Sequence, residues 1–234
     1  MTEAELAELL ADCPVLYHVA ETGSWPSIRR RGLLSTAALL DLFEIAGPER
    51  DRLLGARRPE GVILADDGDG RVVLRDQKPL GDAALRRCLT GGLAPADWYR
   101  LLNARVFFWL DLGRVMRLVG GRAYRGRTHA LIELDAAALV SAYRDRITLS
   151  AINAGATSRF PVPRGPETFA RITDYPYAAL RRRRRRGERV VELAVEGAVP
   201  DVARFVRQVR AIGAEGPGAV VWARESDADA LARP

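Results

Sequence analysis

The stretch Leu16-Tyr17-His18-Val19-Ala20, followed by Trp25-Pro26-Ser27-Ile28-Arg29-Arg30-Arg31-Gly32-Leu33-Leu34-Ser35, decides how the rest of the chain is read. Its apolar opening predicts a short strand over Val15 to Val19, and Ser24 stands in N-cap position for a helix through Arg31 that Gly32 stops. His18, one of two histidines, falls where the strand meets a loop. Rigid elements present polar groups to ligands at such places, so His18 is a candidate site residue. Strand alternation turns Tyr17 to the opposite face, where core packing is its expected role.

Outward from this stretch, the pattern predicts a first helix over residues 3 to 11, broken by Pro14, and another over Ala37 to Ala46, ended by Pro48. The runs Gly61 to Ala65 and Arg71 to Arg75 flank Asp66-Asp67-Gly68-Asp69-Gly70 as a hairpin. Helical spacing returns over Gly81 to Leu89 and Pro95 to Leu102. Arg105 to Leu110 is apolar and aromatic on both faces, which marks a central strand. Asp111 then caps a helix to Val119, and Asp135 caps one to Tyr143 after a strand over Thr128 to Leu134. A strand over Arg146 to Ile152 leads into a long loop, Asn153 to Pro166. A helix over Pro176 to Arg186, a strand over Glu188 to Val195, a last helix from Val199-Pro200-Asp201 to Ala211 and a short strand over Ala219 to Trp222 complete the pattern. The tail, residues 223–234, reads as frayed. Without a linker, composition shift or repeat, residues 1–234 read as one α+β domain.

Among the 234 residues, 48% are hydrophobic and 28% charged, which is ordinary for a globular protein. No apolar run approaches the roughly 20 residues of a membrane helix, and the acidic amphipathic start does not resemble a signal peptide, so a cytoplasmic protein with no membrane partner is expected. Cys13 and Cys88 have neither metal-ligand spacing nor a disulfide pattern, and no metal site is expected. The net charge of +6 is carried almost wholly by arginine, since Lys78 is the single lysine. Guanidinium forks suit phosphate and carboxylate groups, which makes an anionic ligand or a nucleic acid a reasonable partner.

The order strand-His, helix-Gly, arginine after a strand, aromatic strand, Asn/Ala/Thr loop, basic helix and Glu-bearing strand resembles the DarT-type DNA ADP-ribosyltransferases of bacterial toxin-antitoxin systems. Tyr17-His18 and Ile28-Arg29-Arg30-Arg31-Gly32-Leu33 match the opening motif. Asn153-Ala154-Gly155-Ala156-Thr157-Ser158-Arg159-Phe160 echoes the family's Asn-Ala-Ala and Thr-Arg-Phe loop. Arg181 to Arg186, Glu188 or Glu192, and Val199-Pro200 echo its ending. The departure is Val106 to Asp111, which stands where that family has Pro-Phe-Tyr-Phe and an Arg-Ser-Pro-Met step. The resemblance implies a central, mostly antiparallel split sheet flanked by helices, NAD as cofactor, and transfer of ADP-ribose to an acceptor such as a base of DNA or RNA. It also implies an antitoxin protein as partner. The alternative is a non-catalytic nucleic-acid-binding or toxin-associated module on the same fold; a third reading is a relative of RNA 2'-phosphotransferases.

The chemistry asks for the same residue types. Cleaving a nicotinamide-ribose bond develops positive charge on the sugar, which a fixed carboxylate stabilises. Under the resemblance, Glu192 or Glu188 supplies that carboxylate and Arg75 assists or anchors phosphate. His18, donating to a cofactor hydroxyl, positions NAD together with Asn153 and Thr157. The cleft is expected between the His18 strand and the Glu188 to Val195 strand, on which Glu188 and Glu192 share a face. Spacing to Val199-Pro200 favours Glu192, and position after the basic helix favours Glu188. Arg159, Arg181, Arg182 and Arg185 are candidates for nucleic-acid backbone contacts. Competing structural roles are an Arg75-Asp76 surface pair, a solvated arginine face, and core positions for His129, Phe107 and Trp109.

Overall fold

A computed structural model describes residues 1–157 and 162–224. The chain opens with α1 (Glu3–Asp12), β1 (Val15–Glu21), α2 (Trp25–Arg31) and β2 (Leu33–Leu34), then α3 (Thr36–Leu42) and α4 (Gly47–Gly55). The hairpin β3 (Val62–Asp67) and β4 (Gly70–Leu74) follows, then α5 (Asp82–Cys88), α6 (Pro95–Asn103), β5 (Arg105–Trp109) and α7 (Leu112–Val119). Next come β6 (His129–Asp135), α8 (Ala136–Tyr143), β7 (Ile147–Ser150), β8 (Ala170–Arg171) and α9 (Tyr177–Arg181). The chain closes with β9 (Glu192–Glu196), β10 (Ala198–Val199), β11 (Val206–Gly213) and β12 (Gly216–Ala223).

Eight strands form one antiparallel sheet in the order β12-β11-β6-β1-β5-β9-β7-β8, flanked by helices in a single α+β domain. Its main core packs Leu6 and Leu9 of α1 and Leu139 and Val140 of α8 against Leu16, Phe108, Ile132 and Leu193 of the sheet. Separate clusters seat α7 through Val115 and Val119, α6 through Trp98 and Tyr99, and α3 with α4 through Leu40 and Leu53. Among the described residues, no helix is long and apolar enough to cross a membrane.

One junction in the sheet is nearly open. β1 pairs with β6 through seven registered positions but with β5 only at Tyr17↔Trp109. β5 then pairs along its whole length with β9, which puts Trp109 opposite Glu192. The expected central strand is therefore central, and the sheet splays beside it.

Local chemistry sets most boundaries. Asp111 and Asp135 accept from the backbone N–H groups of Arg114 and Ala138 at 3.0 and 2.9 Å, and Ser35 caps α3. Ser24 occupies its N-cap position without a side-chain cap bond. Pro48 does not end a helix; it sits in the first turn of α4, where its missing N–H costs nothing. Gly32 holds φ 87°, and an added Cβ would lie 2.4 Å from Pro200 Cα. That contact locks the turn against β10, whose Val199 pairs with Leu33.

Three expected elements differ. The last helix is a short 3-10 turn, Val202–Arg204, followed by strand β11. Register shifts in β11 put Val206, Val209 and Ile212 in the core at every third residue, so bulges imitate a helical period. The helix from Pro176 stops at Arg181, and the strand expected from Glu188 starts at Glu192, because the intervening arginines turn back onto α1. Ala223 belongs to β12, while the rest of the supposed frayed tail, residues 225–234, lies outside the described residues.

Candidate active site

The opening between β1 and β5 leads into a cavity of ≈ 320 Å³. His18, Arg75, Asn153 and Glu192, predicted from separate motifs, all line it. Its walls include β1, β5, the first residue of β9, the start of α3 and the stretch from Val73 at the end of β4 to Leu80, so the cleft is not bounded simply by the first and last motif strands. Along β5, Val106 and Phe108 are buried in the core, whereas Phe107 and Trp109 are half-buried and face the cavity. Both also pack against buried clusters, Phe107 against that of α6 and Trp109 against that of α7.

His18 donates its Nδ1–H to the carbonyl of Phe107 at 2.9 Å. A carbonyl only accepts, so the tautomer is fixed and Nε2 is left as an acceptor. Burial lowers the imidazole pKa to about 4, outweighing the Phe107 bond, and the nearby Arg75 charge lowers it further. The ring is neutral at physiological pH, and its Nε2 is able to accept a hydrogen bond, not to donate one.

Glu192 is 3% exposed and accepts from the backbone N–H of Ala154 at 2.9 Å. Burial raises its pKa to about 8 against the opposing effects of that hydrogen bond and of the Arg164 and Arg114 charges. Its carboxyl is poised near neutrality, the range in which an acid-base or charge-stabilising group is adjustable by a bound ligand. Glu188 is exposed in the turn before β9 and does not line the cavity. The structure thus places Glu192, and not Glu188, at the site.

Arg75 reaches across to β1, where it donates to the Val19 carbonyl at 2.5 Å and lies 3.8 Å from Glu21. Its guanidinium also stands 5.5 Å from the Tyr124 ring centre. It does not form the surface pair with Asp76 that sequence proximity suggests. Asp76 instead accepts from Tyr124 Oη at 2.6 Å and from the Lys78 N–H at 3.1 Å, with Arg127 at 3.7 Å. Asn153 makes no hydrogen bond among the described residues and is free to meet a ligand. Thr157 is a positioning residue: its hydroxyl accepts from Gly81 N–H at 3.0 Å and donates to Pro79 at 3.4 Å, tying the loop to the cavity rim.

Two buried arginines, unremarked in the sequence, shape the walls. Arg58 donates to the carbonyls of Leu53 and Arg75 at 2.6 and 3.2 Å and to Asn103 Oδ1 at 2.9 Å. It fixes the backbone from Arg75 to Gln77, whose Oε1 accepts from Arg58 N–H. Desolvation lowers the Arg58 pKa to about 10. Arg164 donates to the carbonyls of Ala154 and Ala156 at 3.2 and 2.9 Å, folding the loop so that the Ala154 N–H meets Glu192. No sequence signal separates either from the many surface arginines, because the acceptors come together only on folding: Arg164 meets the carbonyls of its own loop, and Arg58 meets groups from Leu53, Arg75 and Asn103.

The basic run lies elsewhere. Arg181 pairs with Glu8 at 3.0 Å, Arg186 with Asp12, and Arg189 with Glu8, so much of it docks onto α1. Arg182 and Arg185 are exposed and line none of the cavities described here. Arg159 lies outside the described residues. His129 is 1% exposed with neither ring nitrogen hydrogen-bonded among the described residues, and it packs edge-on against Tyr124. That is a structural position. No group of three or more His, Cys, Asp or Glu side chains among the described residues is placed to hold a metal ion.

Fold and site together define an α+β domain with a ligand-sized cleft at a break in its antiparallel sheet. The chain belongs to DUF7002, a family of unknown function, whose match spans residues 14–206 and so contains His18, Arg75, Asn153 and Glu192. No curated protein and no solved structure matches it.

Proposed function

We propose that the chain is an ADP-ribosyltransferase that binds NAD in the β1/β5 cleft, with Glu192 as its acidic catalyst. The observation that carries this reading is the convergence of His18, Arg75, Asn153 and Glu192 on one cavity from four distant segments. The donor set fits a ribose-bearing dinucleotide. Glu192 and the His18 Nε2 are acceptors for sugar hydroxyls, the unpaired Asn153 amide both donates and accepts, and Phe107 and Trp109 offer apolar ring faces.

NAD supplies the ADP-ribosyl group, released from nicotinamide as the glycosidic bond breaks. The ionised Glu192 faces the positive charge that grows on the sugar, and its burial keeps water from screening that attraction. Because its pKa is about 8, a fraction of the chain carries the carboxylate at pH 7, and a cationic ligand increases that fraction. The Ala154 N–H holds the carboxylate in one orientation. His18 accepts a ribose hydroxyl through Nε2, and Arg75 and Asn153 orient the remainder of the ligand.

Label transfer from NAD to DNA, RNA or protein acceptors tests the reading. Transfer by the native chain, lost in Glu192→Gln, is the expected result. Salt-sensitive nucleic-acid binding with no transfer, unaffected by Glu192→Gln or His18→Ala, would instead identify a non-catalytic module.

A further inference from the structure

A second chamber of ≈ 390 Å³ adjoins the cleft, sharing Pro79, Trp109, Leu118, Tyr124, Asn153 and Ala156 with it. Its other side is formed by Arg114 and Arg117, one turn apart on α7, and by Arg122 just beyond the helix. No guanidinium of the three donates a hydrogen bond or forms an ion pair among the described residues. A smaller chamber that shares His18 and Arg75 with the cleft is different. There Arg31 donates to Ser27 at 2.9 Å, and Arg71 pairs with Asp66 at 2.6 Å. Arg58, Arg75 and Arg105, the arginines that line the cleft, are likewise bonded to carbonyls or to Glu196.

Unpaired like charges one helical turn apart repel each other, and Arg114 is half-buried as well. Burial, then the Arg117 charge, pulls the Arg114 pKa below the ordinary guanidinium range, against the opposing charges of Asp111, Glu188 and Glu192. An anion placed between the guanidinia removes that repulsion. Phosphoryl oxygens accept several N–H bonds at once from planar forks; Trp109, Leu118 and Pro79 give the chamber an apolar wall beside the half-buried Arg114, while Arg117 and Arg122 are exposed.

We infer that the chamber bounded by Arg114, Arg117 and Arg122 is a phosphate-binding annex to the cleft. The inference does not depend on the NAD reading. The phosphate has two possible sources: the pyrophosphate of a dinucleotide reaching over from the cleft, or a phosphate of a second ligand.

Calorimetric titration of the full chain with inorganic pyrophosphate at low salt tests the annex. The native chain is compared with Arg114→Gln/Arg117→Gln and with Arg182→Gln/Arg185→Gln, which removes the same charge from the distant arginine run; circular dichroism confirms that each variant is folded. The annex variant should lose at least about tenfold in affinity and the run variant less than about twofold, given what charge-assisted hydrogen bonds contribute. Equal losses in both variants, or no binding by the native chain at millimolar pyrophosphate, would overturn the inference. Repeating the titration with saturating ADP-ribose separates the sources: competition identifies the dinucleotide's pyrophosphate, and undiminished binding identifies a second phosphate-bearing ligand. Pyrophosphate binding by a chain that ignores ADP-ribose would count against the NAD reading while leaving the annex standing.

Discussion

His18 donates its Nδ1–H to the Phe107 carbonyl at 2.9 Å, one residue past the single position at which β1 and β5 still pair. A side chain thus satisfies backbone that the strand ladder has abandoned, and the sheet stays open beside it. The same bond leaves Nε2 as an acceptor for the cleft. Replacing His18 by Ala removes both functions, so ligand affinity should fall by about tenfold or more, while His18→Asn, whose amide can still donate to Phe107, should retain more of it. Ligand titration of the two variants checks this.

The pH dependence of stability follows from three groups. For Glu192 the folded pKa of about 8 exceeds the ordinary 4.5, so the folded state binds the extra proton and stability falls as pH rises through that interval. His18 and His129, each lowered from 6.5 to about 4, have the opposite sign: their contribution is complete above pH 6.5 and is lost as pH falls toward 4. Between pH 6.5 and 8 only Glu192 of these three acts. Urea denaturation should show the native chain losing about 1–2 kcal/mol across that window and Glu192→Gln losing much less.

Gly32→Ala should destabilise the chain by about 2–4 kcal/mol, because the residue needs both its positive φ and the space against Pro200. The neighbouring Gly47 also has positive φ, but nothing lies within 4 Å of its would-be Cβ. Gly47→Ala should therefore cost less, and thermal unfolding of the two variants reads the difference.

Arg164→Met should raise the Glu192 pKa further by removing a facing charge and by freeing the Ala154 loop. The pH profile of activity, rising near pH 8 in the native chain, should move to higher pH in Arg164→Met and partly return in Arg164→Lys. A purely structural role for Arg164 would lower activity without moving the profile.

Removing Arg58 tests the other wall. Arg58→Met leaves the Leu53 and Arg75 carbonyls and Asn103 short of a donor, and a loss of about 2–4 kcal/mol in denaturant titration is expected.

Arg75 directly after β4, and Glu192 on a strand after a basic segment, were legible, because strand alternation and turn chemistry are local; His18 was expected where its strand meets a loop, but β1 continues to Glu21 and leaves it in mid-strand, beside the gap to β5. β11 was not legible: its bulges space Val206, Val209 and Ile212 as a helix would. The arginine run also misled, since the acids that bind it lie more than 170 residues away, Glu8 at a separation of 173 from Arg181 and Asp12 at 174 from Arg186. Arg114 and Arg117 drew no notice in the sequence, and only the placement of α7 beside Trp109 brings them to a chamber. Glu188 and Glu192 could not be separated by spacing alone; the late start of β9 separates them.

On the proposal, the β1/β5 cleft binds NAD against Glu192. Release of nicotinamide from NAD, followed in native and Glu192→Gln protein together with NAD affinity by calorimetry, tests it most directly. Saturable NAD binding is expected in both proteins, with nicotinamide release in the native chain and a loss of at least about a hundredfold in Glu192→Gln. No NAD binding by the native chain, or equal release by the two proteins, would contradict it.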